Sequence, residues 1–280
     1  MNILITGAQG FIGQHLLEEL NKNGQCTFPS SRSKLNGYLD FDVQKPSQML
    51  SMFDELEIEV VVNLAWHTSG VDYLSSAANR DALAWNREFF TIVRDSSIRK
   101  IVSIGSSAEY TVRKAETVVD SELNSLYATS KVAAQKSFVE TFNSSDIDFV
   151  WLRLFQVYGP GQSRQRFIPT LCDHIRQKRL LSLNNPNAVL DWIDVRDVAV
   201  SIRHIVEGAS EHEIDVGTSH GLSNLDICNY AQEYFDFKWE LATPLHENGQ
   251  ISLIADSNSP LFRYFMPSKN LFDYLNLSLA

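Results

Sequence analysis

Residues 4–13 read Leu-Ile-Thr-Gly-Ala-Gln-Gly-Phe-Ile-Gly, three glycines at intervals of three between an apolar run and a helical pattern. Met1 to Ile5 has the apolar character of a buried parallel strand. Phe11, Ile12, Leu16, Leu17 and Leu20 recur with helical periodicity. A strand that enters a helix through glycines turns backbone N–H groups and the positive helix end toward a phosphate. Gly7 permits the tight turn, Gly10 lets a pyrophosphate approach the backbone, and Gly13 allows close helix–strand contact. Phe11 and Ile12 lie in the same turn, so this stretch predicts a dinucleotide site.

Strand and helix signals then alternate. Strands are expected at 25–29, 38–43, 60–65, 100–105 and 149–155, and helices near 46–56, 75–96 and 122–143. That order predicts a doubly wound parallel Rossmann sheet, an α/β fold with helices on both faces. Beyond Tyr158-Gly159-Pro160-Gly161 the elements shorten and become more polar. The expected division is a dinucleotide-binding domain at 1–157 and a small C-terminal α/β substrate cap at 158–280. Segments within 189–217, Asp191–Ala199 and Ile214–Gly217, are expected to return to the main domain.

The chain has 280 residues, 44% of them hydrophobic, enough for a full core. A formal charge of −10 argues against nucleic-acid or anionic-membrane partners. No apolar run approaches a membrane span. The first strand signal begins at residue 2, so no leader is expected and the protein is expected in the cytoplasm. Cys26, Cys172 and Cys228 lack metal or disulfide spacing and are expected to be reduced thiols. No metal site is expected, and Glu211-His212-Glu213 is expected to be a solvated turn.

Tyr127 and Lys131 are four apart within an expected helix and share a face. A free phenol titrates too high for proton transfer at neutral pH, and a nearby ammonium favours its ionised form. Ser106 ends an expected strand, at the edge where open α/β sheets bind ligands.

The chain resembles the extended short-chain dehydrogenase/reductase family, the branch of sugar-nucleotide epimerases, dehydratases and ketoreductases. The motifs that carry the likeness are TGAQGFIG, Asp42-Val43, NLAW (63–66), GSSAEY (105–110), YATSK (127–131), RLFQVYGPGQ (153–162) and DWIDVRDVA (191–199). The resemblance implies that Tyr127 exchanges a proton with the substrate oxygen and that Ser106 hydrogen-bonds it. It implies too that Lys131 holds the nicotinamide ribose and lowers the Tyr127 pKa. Asp42 and Val43 are expected to flank the adenine, and Leu64, Ala65 and Trp66 to line the cofactor path.

Departures from the family pattern refine these expectations. The acid expected about 20 residues beyond the glycines is absent, and the segment reads Pro29-Ser30-Ser31-Arg32-Ser33. Ser31 and Arg32 suit a 2′-phosphate, so NADP(H) is favoured over NAD(H). Family dehydratases resemble one another in an Asp-Glu pair at the places of Ser107 and Ala108, and family enzymes epimerising beside a ketone carry a cysteine at the latter. Ala108 serves neither chemistry. Glu109 replaces the usual aliphatic residue and is expected to be a loop or supporting carboxylate rather than a base.

The usual diphosphate-binding arginines are replaced by Leu190 and by Glu247-Asn248-Gly249-Gln250, and the usual asparagine by Gln156. Arg164, Arg166 and Phe167 at the expected cap entrance are candidate substrate contacts, with Arg263 as a further candidate cation. His67, Ser107 and Gln156 complete the candidate substrate set. For the arginines and His67, plain surface or loop roles stay open.

The expected activity is NADP(H)-dependent ketoreduction of a sugar, with a nucleotide-linked 4-keto-6-deoxy sugar foremost. The alternatives are an NAD-dependent 4-epimerase, a reductase of a non-nucleotide carbonyl, and a non-catalytic dinucleotide sensor. A homodimer through the helices near 75–96 and 122–143 is expected, with Leu83, Phe89, Phe90, Val132, Phe138 and Val139 as seam candidates. The alternative is that these side chains face their own sheet.

Overall fold

Strand residues that alternate in direction commit each strand to two cores at once. The computed structural model describes residues 1–32, 35–40, 49–68, 70, 72–115, 125–242 and 251–280. The first half builds β1 (Asn2–Thr6), α1 (Phe11–Lys22), β2 (Cys26–Ser31), β3 (Leu39–Asp40), α2 (Met49–Glu55), β4 (Val60–Asn63) and α3 (Ala78–Arg94). It continues with β5 (Lys100–Ser106), α4 (Glu109–Ala115), α5 (Leu126–Phe142) and β6 (Asp148–Leu154). Among the described residues these strands form a parallel sheet with β10 (Glu213–Val216), in the order β10-β6-β5-β4-β1-β2-β3. The chain therefore carries the doubly wound Rossmann architecture.

One face holds Ile3, Ile5, Val60, Val62, Val102, Val150 and Leu152 against α1 and α7 (Val195–Gly208). The other holds Leu4, Val61, Ile101, Phe149 and Trp151 against α2, α3 and α5. Phe89, Phe90 and Phe138 are fully buried in this second core. They fill their own domain, which removes three of the six candidate dimer-seam side chains. Leu83, Val132 and Val139 remain half-buried.

Several boundaries differ from expectation. The strand expected over 60–65 stops at Asn63, because Leu64 and Ala65 bend across the glycine turn, where the Leu64 N–H donates to the Thr6 carbonyl at 3.2 Å. A helix expected over 75–96 runs from Ala78, and the one expected from 122 runs from Leu126, capped by Ser125 accepting from the Ala128 N–H at 3.1 Å. The short helix α4 has no apolar periodicity to announce it. The third expected strand keeps Leu39–Asp40, Tyr38 forms a bend before it, and 41–43 lie outside the described residues.

After Leu154 the chain leaves the main sheet. The next strand, β7 (Gln156–Tyr158), already pairs with β9 (Val189–Asp194), which also pairs with β11 (Gly221–Ser223) and β13 (Ser252–Leu253). Ile214–Val216 join the main sheet as expected, whereas Asp191–Asp194 stay in this smaller one. The reason is a buried carboxylate: Asp191 accepts from the N–H groups of Thr218 (2.8 Å), Ser219 (2.8 Å) and Ala255 (3.2 Å), tying β9 to its neighbours. A third core packs α6 (Phe167–Arg176), α8 (Asn224–Tyr234) and α10 (Leu271–Leu279) around Trp192 and Tyr158.

Glu211-His212-Glu213 is only partly a solvated turn: His212 is exposed in a bend, but all three residues have partners. Glu211 accepts from the Tyr264 hydroxyl at 2.6 Å, the His212 ring stacks on Phe149 at 4.1 Å, and Glu213 opens β10. Among the described residues no helix is long and apolar enough to cross a membrane. Cys172 and Cys228 are buried thiols, and Cys26 is an exposed one.

Phe138 meets Phe90 and Phe142 at 5.0 Å and Trp151 at 5.4 Å, so it is the hub of the α5 face. Phe138→Ala is expected to lower the unfolding free energy by about 3–5 kcal/mol, read from the midpoint of urea unfolding.

Candidate active site

The glycine turn is built as its spacing predicts. Gly7 sits at φ +67°, a backbone setting that L side chains rarely adopt. A Cβ at Gly13 would lie 2.5 Å from the Gly7 carbonyl oxygen and 2.6 Å from the Ala8 Cα, so α1 can lean on the turn only without a side chain there. Gly10 caps α1 without a side-chain hydrogen bond, and Gly7, Gly10, Phe11, Ile12 and Gly13 line a cavity of about 850 Å³. The helix end therefore meets the cavity with its positive pole and its first-turn N–H groups.

Ser31 and Arg32, at the end of β2, line the same cavity, Arg32 exposed. Leu64, Ala65 and Trp66 line it from the end of β4. A bare glycine cradle at a helix start, an exposed guanidinium one strand away and a cavity of this volume fit a dinucleotide. Asp42 and Val43 lie outside the described residues.

Below the cradle runs a buried polar ladder that local spacing does not reveal. Thr6 donates to Asn63 at 2.7 Å, and the Asn63 amide donates to Asn86 at 2.8 Å and to Ser103 at 3.2 Å. It locks β1, β4, β5 and α3 together beneath the cavity floor. The Trp66 indole donates to Asn79 at 3.0 Å, which fixes its ring beside Lys131.

Ser106, Tyr127 and Lys131 come together on one cavity wall. Ser106 ends β5, and α5 brings Tyr127 and Lys131 on one face. Ser106 lies beside the Tyr127 phenol and acts to lower its pKa. Lys131 Nζ donates to the Ile104 carbonyl at 2.8 Å and lies 3.8 Å from the Trp66 ring centroid. Burial pushes the Tyr127 phenol above its ordinary value, and Ser106 and the Arg166 charge pull against that rise. Burial also brings Lys131 down to about 7, with the Glu109 charge opposing the fall. Burial of the phenol thus opposes the lowering expected of Lys131.

Of its two expected placements, loop or supporting carboxylate, Glu109 takes the second. It begins α4 and is fully buried. Its carboxylate accepts from the Ser106 N–H at 2.8 Å, the Trp151 indole at 3.1 Å and Arg153 Nε at 2.9 Å. Arg153 also pairs with Glu213 and lies 3.6 Å from Asp215. Burial raises the Glu109 pKa, with Arg153 and the Ser106 N–H acting in the opposite sense.

Of the candidate substrate residues, His67, Ser107, Gln156 and Arg166 line the large cavity. Arg166 stacks 4.2 Å from the ring centroid of Tyr73, and Tyr73 meets Tyr127 edge-on at 5.3 Å. Tyr73, which its local sequence does not single out, thereby bridges the cap arginine to the phenol. Arg164 lies apart, in a small cavity of about 150 Å³ beside Arg176. Phe167 starts α6 and packs on Trp192 at 5.9 Å, which commits it to the cap core. Arg263 is paired with Glu211 at 2.7 Å. Leu190 sits in β9, and residues 247–250 lie outside the described residues.

Comparison with known proteins agrees with this geometry. A model described as the NAD dependent epimerase/dehydratase family matches residues 3–217. The chain is similar to CDP-abequose synthase of Salmonella typhimurium, 27% identical over 244 residues, covering 82% of this chain and 79% of that protein. It is also similar to dTDP-6-deoxy-L-talose 4-dehydrogenase (NAD(+)) of Aggregatibacter actinomycetemcomitans, 22% identical over 214 residues, with 72% and 78% covered. Its fold is similar to that of UDP-glucose 4-epimerase of Thermotoga maritima, solved with UDP-glucose. That match has a TM-score of 0.81 and 18% identity, and covers 100% of this chain and 97% of that one.

The lowered Lys131 pKa carries a sign. Between about 7 and the ordinary lysine value the unfolded chain binds the proton that the folded protein has released, so stability rises with pH across that window. Urea unfolding of Lys131→Met, which lacks the titration, is expected to rise less over pH 7–9 than that of the unchanged protein.

Proposed function

The chain belongs to the NAD dependent epimerase/dehydratase family, whose members include enzymes of the extended short-chain dehydrogenase type, and from that premise we propose that it is an NADP(H)-dependent ketoreductase of a nucleotide-linked 4-keto-6-deoxy sugar. The observation that carries this is the grouping of Ser106, Tyr127 and Lys131 on one cavity wall beside Ala108, which has no acid or base to offer. Reduction of a ketone needs a proton delivered to oxygen as hydride reaches carbon, and a phenol held neutral is the donor form. Elimination needs a second acid or base at the place of Ala108.

In this reading residues 1–157 hold the dinucleotide, which supplies the hydride when bound, and residues 158–280 cover the sugar. Gly7, Gly10 and Gly13 admit the pyrophosphate to the backbone. Lys131 binds the nicotinamide ribose, and Trp66 packs against its ammonium. Ser106 orients the substrate oxygen and Tyr127 protonates it. Arg166 is the cavity-lining cation that suits a sugar diphosphate in place of the absent pair of arginines. Both named relatives act, by their names, on nucleotide-linked sugars, which supports a substrate of that class. Two copies joined through the half-buried Leu83, Val132 and Val139 on α3 and α5 form the proposed dimer.

A panel of CDP-, dTDP-, UDP- and GDP-linked 4-keto-6-deoxyhexoses, followed by NADPH absorbance and mass spectrometry, tests the activity. One NADPH consumed per product is expected. Tightly held NAD with turnover in the absence of added cofactor assigns a 4-epimerase instead.

For the cofactor, Arg32→Ala is expected to weaken NADPH by about 1.5–3 kcal/mol and to leave NADH nearly unchanged. Equal losses in a fluorescence titration reject the 2′-phosphate role. Tyr127→Phe is expected to bind NADPH normally and to lose most turnover, roughly 10²–10⁴-fold.

A further inference from the structure

A fully buried carboxylate directly beneath the reacting groups is costly and needs partners to persist. Every hydrogen bond to Glu109 comes from a donor: the Ser106 N–H, the Trp151 indole N–H and Arg153 Nε. Such a set suits an ionised carboxylate, since a protonated acid would bring a fourth donor into a ring with no acceptor for it. The space for this arrangement exists because residue 105 is glycine. A Cβ there would lie 2.4 Å from Glu109 Oε1 and 2.2 Å from Trp151 Nε1.

Glu109 thus grips the main chain of Ser106, which shares the cavity wall with the Tyr127 phenol. Lys131, tied to the Ile104 carbonyl two residues upstream, shares the same strand end. The charged and titratable groups around the carboxylate are Arg153 on β6, Lys131 and Tyr127 on α5, and, through Arg153, Glu213 and Asp215 on β10 with Tyr110 on α4. Arg153 faces three carboxylates and so has anions to spare when one is lost. Lys131 is buried and has Glu109 as the anion that favours its charge.

We propose that Glu109 is a positioning residue of this active site: its carboxylate, clamped by Arg153 and Trp151, sets Ser106 against Tyr127 and supplies the negative charge that balances the Lys131 ammonium. The proposal rests on the roles given above to Ser106, Tyr127 and Lys131. It makes Glu109 act through two of those residues without touching substrate.

Charge and reach separate in two variants. Glu109→Gln keeps the length and removes the charge, and Glu109→Asp keeps the charge and shortens the reach to Ser106. The first readout is NADPH affinity against pH, by quenching of tryptophan fluorescence, where loss of the Lys131 charge appears as a falling limb. In Glu109→Gln that limb is expected to move to lower pH by about one unit or more, and in Glu109→Asp to stay. The second readout is turnover of the ketosugar found with the panel. Glu109→Asp is expected to lose kcat roughly tenfold to hundredfold with KM little changed.

A carboxylate that merely stabilises the fold lowers the melting temperature and moves neither readout. A limb that stays in place in Glu109→Gln, or full turnover in Glu109→Asp, overturns the proposal. If Glu109→Gln does not fold, Trp151→Phe removes one donor while keeping an aromatic ring in the core. A severalfold loss of kcat is then expected, and unchanged turnover overturns the proposal. Tyr127→Phe is the control. Retained turnover there fails the reading of the whole site, whereas an inactive Tyr127→Phe with unaffected Glu109 variants fails the proposal alone.

Discussion

Because β1 lies between β2 and β4 in a parallel sheet, the chain exits of β1, β2, β4 and β5 leave from one edge. Each crossover returns over a sheet face, so the C-terminal ends collect while the N-terminal ends stay closed. The glycine turn, Arg32, Trp66 and Ser106 share a cavity for this reason, although more than seventy residues separate Arg32 from Ser106. The Thr6–Asn63–Asn86 ladder keeps that edge in register, since a slipped strand would strand buried amides without partners.

On that edge the protein places ionisable groups where water is scarce. Tyr127 and Lys131 are both shifted toward their neutral forms by desolvation. Desolvation pushes Glu109 the same way, but its ion pair and hydrogen bonds with Arg153 oppose that shift. The proposed proton donor thus stands over a buried, hydrogen-bonded ion pair. Rigid carboxylate geometry reaches the reacting hydroxyl through the backbone of Ser106, where a flexible side chain would add conformational entropy.

The smaller sheet is organised by a different buried carboxylate. Asp191 gathers N–H groups from two neighbouring segments and fixes β9, whose partner strand β7 carries Gln156 to the cavity. Arg166, just before α6, reaches back over Tyr73 toward the phenol. Main sheet and cap are therefore coupled through Tyr73 and Tyr127 by ring contacts that neither half has alone.

Local spacing determined much of this protein. The glycine intervals, the four-residue separation of Tyr127 and Lys131, and the alternation of strands with helices are periodic features. They describe the same turn or face in any tertiary setting, so the Rossmann fold and the grouping of Ser106, Tyr127 and Lys131 could be read from sequence. Other features depend on which strand lies beside which. Glu109 looks like a loop acid until β5 and β6 pair Ser103 with Trp151 and Gly105 with Arg153. Phe89, Phe90 and Phe138 suit a dimer seam or a core equally well until α3 packs on α5. Phe167 and Arg166 are adjacent, yet α6 turns one into the cap core and leaves the other on the cavity wall. Short-range periodicity survives any packing, whereas the fate of a lone charge or aromatic ring is decided by neighbours distant in the chain, and only the tertiary structure supplies those.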